Sequence, residues 1–441
     1  MKKYFPSWII NRYQQIFGII TDIVIFFVLI LLFSGLNYIL VSSNFIFISL
    51  SFWIFSSYIF GRFSNNPKKR YIFIPAYLLN LLKTLFLSII LLNLLEFIYR
   101  INLLSINTIN IINVFYALFL ICIIKDLLFI KIFKSKLIFK RIYLFIGSLQ
   151  EFNFINSLID SEKMNIKIKY LENIDNLVIN EIHKFFGIVL SHKSIELENK
   201  EKLLELNLNS AKIITIEDFF GDNFQRLPTE ILNNGDFLLN KFNIKWDDLF
   251  FKIKRFGDIF ISFTILFFSL PILLIASLLI FLEDRGPIFY SQKRSGLNYI
   301  PFDLWKLRTM KVNAEATGVQ WAQANDKRIT KIGTILRLTR IDELPQLVLV
   351  LTGKMSLIGP RPERPEIDAK LLKLIPNYKL RYSIRPGLSG WAQVNYPYGS
   401  SIDDAKNKLS FDLFYISSKS ILLDLLIFTK TIKLVLNAKG R

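Results

Sequence analysis

The sequence predicts a membrane protein that joins an all-α part to α/β parts. It reads as a four-helix transmembrane bundle, a Rossmann-like parallel α/β domain, and a mainly helical α+β domain with a proline-broken, re-entrant membrane helix. Three observations predict this. Hydrophobic residues make up 52% of the 441, with 42 Phe, yet the chain also holds 55 Lys and Arg against 35 Asp and Glu. A greasy part joined to a soluble part explains both facts. Long uncharged runs occur early in the chain and again at 259–282, and between them short apolar runs alternate with helical patterns. The net charge of +20 calls for a polyanionic partner, whether a membrane surface, a phosphorylated substrate or nucleic acid.

The first domain covers residues 1–137. Ile23 to Gly61 carries no charge. At ~1.5 Å per residue that run is nearly twice the bilayer core, so it must break. Ser42-Ser43-Asn44 is the natural break, which gives spans at Ile19–Val41 and Phe45–Phe60. A third span is expected at Pro75–Ile98, where Lys83 must snorkel, and a fourth at Asn110–Ile132. Lys2, Lys3 and Arg12 precede the first span, Arg62, Lys68, Lys69 and Arg70 follow the second, and Lys134, Lys136, Lys140 and Arg141 follow the fourth. The opposite loops hold only Arg100, so both ends of the bundle face the cytoplasm by the positive-inside rule. No cleavable signal peptide is expected, because Met1–Gln15 is too polar. The one cysteine, Cys122, sits in an apolar run and reads as bundle packing.

The second domain covers residues 138–245. Short buried strands are expected at Ile142–Gly147, Ile166–Leu171, Gly187–Ser191 and Ile213–Ile216, separated by helical patterns such as Glu151–Lys163 and Glu198–Leu206. The first turn reads Gly147-Ser148-Leu149-Gln150 and lacks the further glycines of a dinucleotide fingerprint, so a structural or regulatory role is expected. Asn233, Asn234 and Gly235 read as loop before the third domain, residues 250–441.

That domain opens on 24 uncharged residues, Ile259–Leu282, with Pro271 at the midpoint. Proline removes one helix hydrogen bond and clashes with the carbonyl four residues back, at Phe267, and Ser269 is placed to satisfy a freed carbonyl. The reading is a kinked helix, 258–283, that enters the membrane, turns at Ser269–Pro271 and returns; a straight fifth span is the alternative. Near the end, the amphipathic stretch Ile421–Leu436 is either an interfacial helix or an ordinary core-packing one.

Four segments carry chemistry. They are Lys306-Leu307-Arg308-Thr309-Met310, then Asp342-Glu343-Leu344-Pro345-Gln346, then Gly359-Pro360-Arg361-Pro362-Glu363-Arg364-Pro365, then Arg385-Pro386-Gly387 running on to Gln393. The only histidines, His183 and His192, lie far upstream, so few nucleophiles remain. A carboxylate can attack phosphorus and form an acyl phosphate, and a neighbouring carboxylate can hold Mg²⁺. Arginine forks suit phosphate oxygens, and prolines beside Arg361 and Arg385 stiffen their loops. Taken singly, each segment has a plain reading. Acidic pairs at Asp247-Asp248, Glu283-Asp284 and Asp403-Asp404 read as solvated faces or caps, GPRP as a turn, Arg-Pro-Gly as a type II turn, and the Lys306 run as a strand with solvated cations.

In this order the segments resemble the bacterial sugar transferase family, the monotopic phosphoglycosyl transferases that act on polyprenyl phosphate. The resemblance runs from about Phe256 to Leu436 and includes GPIFYSQKRSG at Gly286–Gly296 and FDLFYI at Phe411–Ile416. The whole chain resembles the large form of that family, EDFFGDNFQRLP included. The resemblance implies a double displacement, in which Asp342 attacks the sugar-bearing phosphorus of a UDP-sugar, releases UMP, and passes the sugar phosphate to polyprenyl phosphate. It implies Mg²⁺ on Glu343, with Lys306, Arg308, Arg337, Arg361, Arg385 and Gln393 around the phosphates and nucleotide. It also implies the bacterial inner membrane with the catalytic domain in the cytoplasm, lipid contacts, room for a homodimer, and no nucleic acid. An odd number of spans would carry the domain away from cytoplasmic nucleotide, which favours the re-entrant reading. Three positions depart from the pattern: Leu349-Val350 for an Asn-Val pair, Lys354 for an acidic residue, and Ser295 for valine. The rival function is a non-enzymatic scaffold for polysaccharide assembly with a decayed transferase domain, and an intact dyad and arginine set argue against it.

Overall fold

In the computed structural model, the described residues are 13–136 except 42, 61, 63–73 and 102–107; 141–173 except 163 and 165; 184–191; 212–232; 238; 241–312 except 245; 314; 326; 328–397; 399; and 401–436. The expected helical pattern Glu198–Leu206, the Asn233–Gly235 loop, both histidines and most basic loop residues of the bundle lie outside them. The described chain is mostly helical with some parallel sheet. It divides into two compact units, Met1–Arg141 with Met164–Lys167, and the remainder.

The first unit contains helices α1 (Tyr13–Val41), α2 (Ser43–Ile59), α3 (Ile74–Ile101) and α4 (Thr108–Lys136). The break between α1 and α2 falls where the serines predict it. Phe26, Ile30, Trp53, Leu81, Phe115 and Cys122 are fully buried between these helices, and Trp53 stacks on Phe115 at 5.7 Å. Cys122 is free, as its apolar setting implied. Among the described residues the buried charges of this core lie in one cluster. Asp22 pairs with Arg62 and with Lys125, Arg62 Nε reaches Asp126 at 3.1 Å, and Trp53 Nε1 donates to Asp22 at 3.3 Å. Lys125 and Asp126 fall inside the expected fourth span, and these pairings are what make their burial tolerable. The cluster joins the early part of α1 to the residue Arg62 just past α2 and the later part of α4, as alternating helix directions require.

The second unit begins with a four-stranded sheet of order β2-β1-β3-β4, built from β1 (Arg141–Ile146), β2 (Ile166–Leu171), β3 (Gly187–Leu190) and β4 (Ile213–Thr215). β1 pairs with β3 and β3 with β4 in parallel. Helix α5 (Leu149–Ser161) follows β1 and is capped by Ser148, whose hydroxyl accepts from the Glu151 N–H. Helix α6 (Ile216–Asn223) follows β4 under a Thr215 cap. The segment after it is tied to the C-terminal region: Trp391 Nε1 donates to the Gln225 carbonyl at 2.9 Å and Leu227 N–H to Ser410 O at 2.8 Å.

Helix α7 runs unbroken from Leu249 to Asp284 with Pro271 inside it. The chain thus stays helical through Ser269–Pro271, where proline deletes one bond of the ladder and its neighbours keep theirs, and a change of direction there is a kink within the helix. Ser269 Oγ donates to Leu266 O at 3.2 Å rather than to Phe267. Phe256, Phe260, Phe263, Phe268, Leu274 and Leu282 are exposed on α7. Two described helices are long and apolar enough to cross a membrane, Leu78–Phe97 and Leu249–Asp284, while Phe17–Phe33 and Asn44–Ile59 are shorter apolar helices. Lys83 thus does not stop the third helix from qualifying.

Both ends of α7 bind the same folded region. Near its start, Arg255 donates to the Val350 and Leu351 carbonyls at 2.6 and 2.8 Å, and Asp258 accepts from Ser356 Oγ at 2.7 Å and Leu357 N–H at 3.2 Å. Near its end, Ala276 and Ile280 pack on Leu307 and Leu336. The elements that receive it are the hairpin β5 (Phe289–Ser295) and β6 (Pro301–Leu307), α8 (Lys331–Thr339), a 3₁₀ segment Ile341–Gln346, α9 (Leu347–Leu351) and β7 (Ser356–Ile358). Then come α10 (Pro365–Leu374), β8 (Gly387–Ser389), α11 (Trp391–Asn395), α12 (Ile402–Ser417) and α13 (Ile421–Leu436). α13 buries Leu423 and Ile427, and its Thr431 bonds Ser389 at 2.5 Å, so core packing holds at least one of its faces.

Candidate active site

Asp342 and Glu343 sit on the 3₁₀ segment between α8 and α9. Thr330 caps α8 by accepting from the Gly333 N–H at 2.9 Å. Gly333 permits a close approach, since a Cβ there would lie 2.2 Å from Thr309 O. One turn later Arg337 Nε donates to Thr309 Oγ1 at 2.9 Å, which fixes the arginine against the end of β6. Arg340 then ends α8 at φ 60°, and this left-handed residue redirects the chain into the dyad.

Asp342 is 6% exposed and its Oδ1 has no hydrogen-bond partner. Burial, aided by the Glu343 charge, pushes its carboxyl up to about 6 against the pull of Lys306, Arg337 and Arg340. Glu343 behaves oppositely. Burial would raise it, but Arg361 and Arg340 outweigh burial and hold it well below the usual carboxylate range. Arg361 Nη2 lies 2.7 Å from Glu343 Oε1, and Arg340 Nη1 lies 3.3 Å from the same oxygen. Lys306, half-buried on β6 over the Tyr290 ring at 5.1 Å, is pushed down to about 8 by burial, against the nearby Asp342 charge.

β7 and β8 pair in parallel, Ser356 opposite Gly387 and Ile358 opposite Ser389, which brings the Arg361 and Arg385 segments together. The contact needs glycine on both sides, because a Cβ on Gly387 would lie 2.1 Å from Gly359 N. Gly387 is thus a strand residue, and the type II turn is not what this Arg-Pro-Gly forms.

The structure brings Lys306, Arg337 and Arg361 into the electrostatic surroundings of Asp342 and Glu343. It commits the others elsewhere. Arg308 is buried and pairs through both Nη atoms with Asp284 at the end of α7, 2.8 Å for Nη1. Arg385 lies over the Trp246 ring at 5.0 Å. Gln393 Nε2 donates to Leu388 O at 3.3 Å, and its buried Oε1 has no partner. Of the Lys306 run, Lys306 and Leu307 end β6; Lys306 is half-buried and Arg308, just past the strand, is buried.

Sequence reasoning saw Arg340 beside the dyad but gave it no role, and the structure makes it a partner of Glu343. It missed Arg381, whose Nη2 donates to the Arg361 carbonyl at 2.8 Å and to Asp412 at 3.1 Å. No local signal marks Arg381. Of the departures, Leu349 and Val350 are buried, Ser295 is buried, and Lys354 is exposed in the turn before β7.

Among the described residues there is no group of three His, Cys, Asp or Glu side chains. Magnesium needs less, since one or two carboxylates can hold it together with phosphate oxygens and water. A buried carboxylate oxygen without a partner beside a second carboxylate fits that donor set.

Fold and site define a class, a mostly helical membrane protein with a buried acidic pair ringed by cations. Comparison with known proteins agrees. The family model for bacterial sugar transferases matches residues 249–438. A UDP-N-acetylgalactosamine-undecaprenyl-phosphate N-acetylgalactosaminephosphotransferase of Aeromonas hydrophila is 43% identical over 188 residues, 43% of this chain and 44% of that protein. The UDP-glucose:undecaprenyl-phosphate glucose-1-phosphate transferase of Escherichia coli (strain K12) is 34% identical over 235 residues, 53% of this chain and 50% of that one. The exopolysaccharide production protein PSS of Rhizobium leguminosarum bv. phaseoli is 38% identical over 195 residues, 43% of this chain and 98% of that protein. The chain spans about half the length of the first two relatives. It belongs to the bacterial sugar transferase family.

Proposed function

We propose that this protein transfers a sugar-1-phosphate from a UDP-sugar to polyprenyl phosphate, undecaprenyl phosphate in bacteria, at the cytoplasmic face of the inner membrane. The observation that carries the reading is the buried Asp342 carboxylate with a free Oδ1, beside a Glu343 locked by Arg361. With its carboxyl at about 6, Asp342 is mostly ionised at neutral pH and able to act as a nucleophile.

An Asp342 oxygen attacks the sugar-bearing phosphorus, the P–O bond to UMP breaks, and UMP leaves with the electron pair. An oxygen of polyprenyl phosphate then attacks the same phosphorus and the aspartyl O–P bond breaks. The carboxylate returns, and the product is a sugar linked to the lipid through a pyrophosphate. Lys306, Arg337 and Arg361 stabilise negative charge on the transferring phosphoryl group. Glu343 and the phosphate oxygens would hold Mg²⁺, which when bound neutralises pyrophosphate charge. Arg308, Arg385 and Gln393 act from further out, because each is engaged elsewhere.

α1 to α4 form the transmembrane bundle, with both ends in the cytoplasm. The sheet of order β2-β1-β3-β4 is a Rossmann-like domain without a dinucleotide fingerprint. α7 enters and leaves the same leaflet, a reading supported by the contacts of Arg255 and Asp258 at one end and Ile280 at the other with one folded region. The names of the relatives support UDP-sugar and undecaprenyl phosphate as substrates, and one of them names exopolysaccharide production; the reaction would be the first membrane step of exopolysaccharide, capsule or O-antigen synthesis.

The test is a panel of radiolabelled UDP-hexoses and UDP-acetamido sugars, incubated with membranes and polyprenyl phosphate. Label should enter the lipid extract from one sugar, with equimolar UMP. Full-length, folded protein that moves label from no UDP-sugar would instead support the scaffold reading.

A further inference from the structure

The segment that carries Arg361 has prolines at 360, 362 and 365, so it has few N–H groups with which to bond itself. Neighbouring elements hold it by its carbonyls instead. Gly387 N–H donates to Pro360 O at 2.9 Å, Arg381 Nη2 to Arg361 O at 2.8 Å, Arg294 Nη1 to Pro362 O at 3.3 Å, and Ser295 N–H to Glu363 O at 2.9 Å. Four consecutive carbonyls are thus fixed from outside the segment.

The donor to Arg361 is itself fixed on several sides. Arg381 lies on a 3₁₀ segment, Tyr378–Ser383, and its side chain is 10% exposed. The Nη2 that meets the Arg361 carbonyl also donates to Asp412 on α12 at 3.1 Å. Nη1 donates to Tyr378 Oη at 2.5 Å, and the Tyr378 hydroxyl donates to Asp368 on α10 at 2.9 Å. The guanidinium lies over the Tyr378 and Tyr382 rings at 5.1 and 5.8 Å, and both Asp368 and Asp412 are buried. One planar group therefore ties α10, α12 and the Arg361 backbone together. A buried ion pair adds little stability over apolar packing of the same volume, and Arg381 Nε is left without a partner. What the arrangement supplies is a set place for the Arg361 backbone, whose side chain lies 2.7 Å from Glu343.

We propose that Arg381 is a positioning residue for the transfer reaction: held by Asp412 and Tyr378, it fixes the Arg361 carbonyl and so aims the Arg361 guanidinium at Glu343 and the transferring phosphoryl group. It acts through Arg361 and does not itself meet the reacting atoms. The inference rests on the reading of Arg361 as a group that stabilises phosphoryl charge. Aim matters for such a group, because a misplacement of about 1 Å can cost on the order of 10²-fold in rate.

The experiment is a double-mutant cycle on the full-length protein in detergent. It is read as kcat and KM for UMP release, with the labelled UDP-sugar that the wild type turns over and polyprenyl phosphate as acceptor. R381K keeps a cation beside Asp412, but an ammonium lacks the planar fork that meets three partners at once. It should lower kcat by roughly 10–100-fold, with little change in the KM for UDP-sugar. In an R361A background the same change should cost nothing further, because the group it positions is gone. D412N leaves Arg381 in place and removes its anion; it should show the same pattern, and it carries the test if R381K does not fold. A fall by the same factor in both backgrounds would make Arg381 a structural residue and overturn the proposal, leaving the role of Arg361 intact. Undiminished kcat in folded R381K and D412N would overturn it too. R361A with wild-type kcat would instead remove Arg361 from the reaction, and the proposal with it.

Discussion

The Arg361 guanidinium holds the Glu343 carboxylate at 2.7 Å, while the neighbouring Asp342 keeps an oxygen with no partner. Two adjacent acids thus differ in charge and readiness, and their partners rather than their sequence neighbours make the difference. Removing Arg361 strips Glu343 of its main counter-charge and removes a donor to the transferring phosphoryl group. R361A should lower kcat by roughly 10²–10³-fold, with R361K in between. Steady-state UMP release measures it, and a loss below tenfold in R361A would remove Arg361 from the reaction.

Lys306 sets a limit on the alkaline side. Burial holds its ammonium down to about 8, so it is charged below that pH and neutral above it. Phosphate binding needs the charge, so kcat/KM should fall as pH rises through about 8. K306R keeps a charge throughout this range and should lose that descending limb. A profile from pH 6 to 10 on both proteins decides the point, and a limb unchanged in K306R would assign it elsewhere.

How α7 meets the membrane can be read by labelling. In a C122S background, single cysteines replace the exposed Lys252 in the first turn of the helix and Lys293 after the helix. Both should be shielded from an impermeant reagent in sealed cells and both should react after permeabilisation. External labelling at position 293 alone would make α7 a true fifth span.

The charge cluster of the bundle carries a stability prediction. D22A removes the buried carboxylate that Arg62 and Lys125 share, leaves them only the more exposed Asp126 among the described residues, and should cost about 3–5 kcal/mol. S51A, on an exposed hydroxyl, should change stability by under about 0.5 kcal/mol. Denaturant unfolding in detergent compares them, and equal effects would mean that the cluster is not a stabilising lock.

Local pattern explains what was legible. β2 runs over Ile166–Leu171 as its alternation and β-branched content require, and the α1–α2 break falls at the serines. The acidic pair stood out from the others only through the order of the motifs around it and the family resemblance they carry. Contacts between distant segments were not legible. Nothing near Arg308 announces Asp284, and nothing near Arg385 announces Trp246, which lies 139 positions earlier in the chain. An arginine motif gives the kind of partner a side chain seeks, but the fold decides which one it finds. Pro271 was legible as a local cost, and the helix on either side of it keeps its own bonds.

The central claim is that Asp342 carries the sugar phosphate. Purified protein mixed with its UDP-sugar and no lipid acceptor should release a burst of about one UMP per active site, then stop. Mass spectrometry should find the sugar-phosphate mass on the peptide containing Asp342, and D342N should show neither. UMP that appears only once polyprenyl phosphate is added, with no adduct on that peptide, would contradict the covalent account and favour direct transfer between the two substrates.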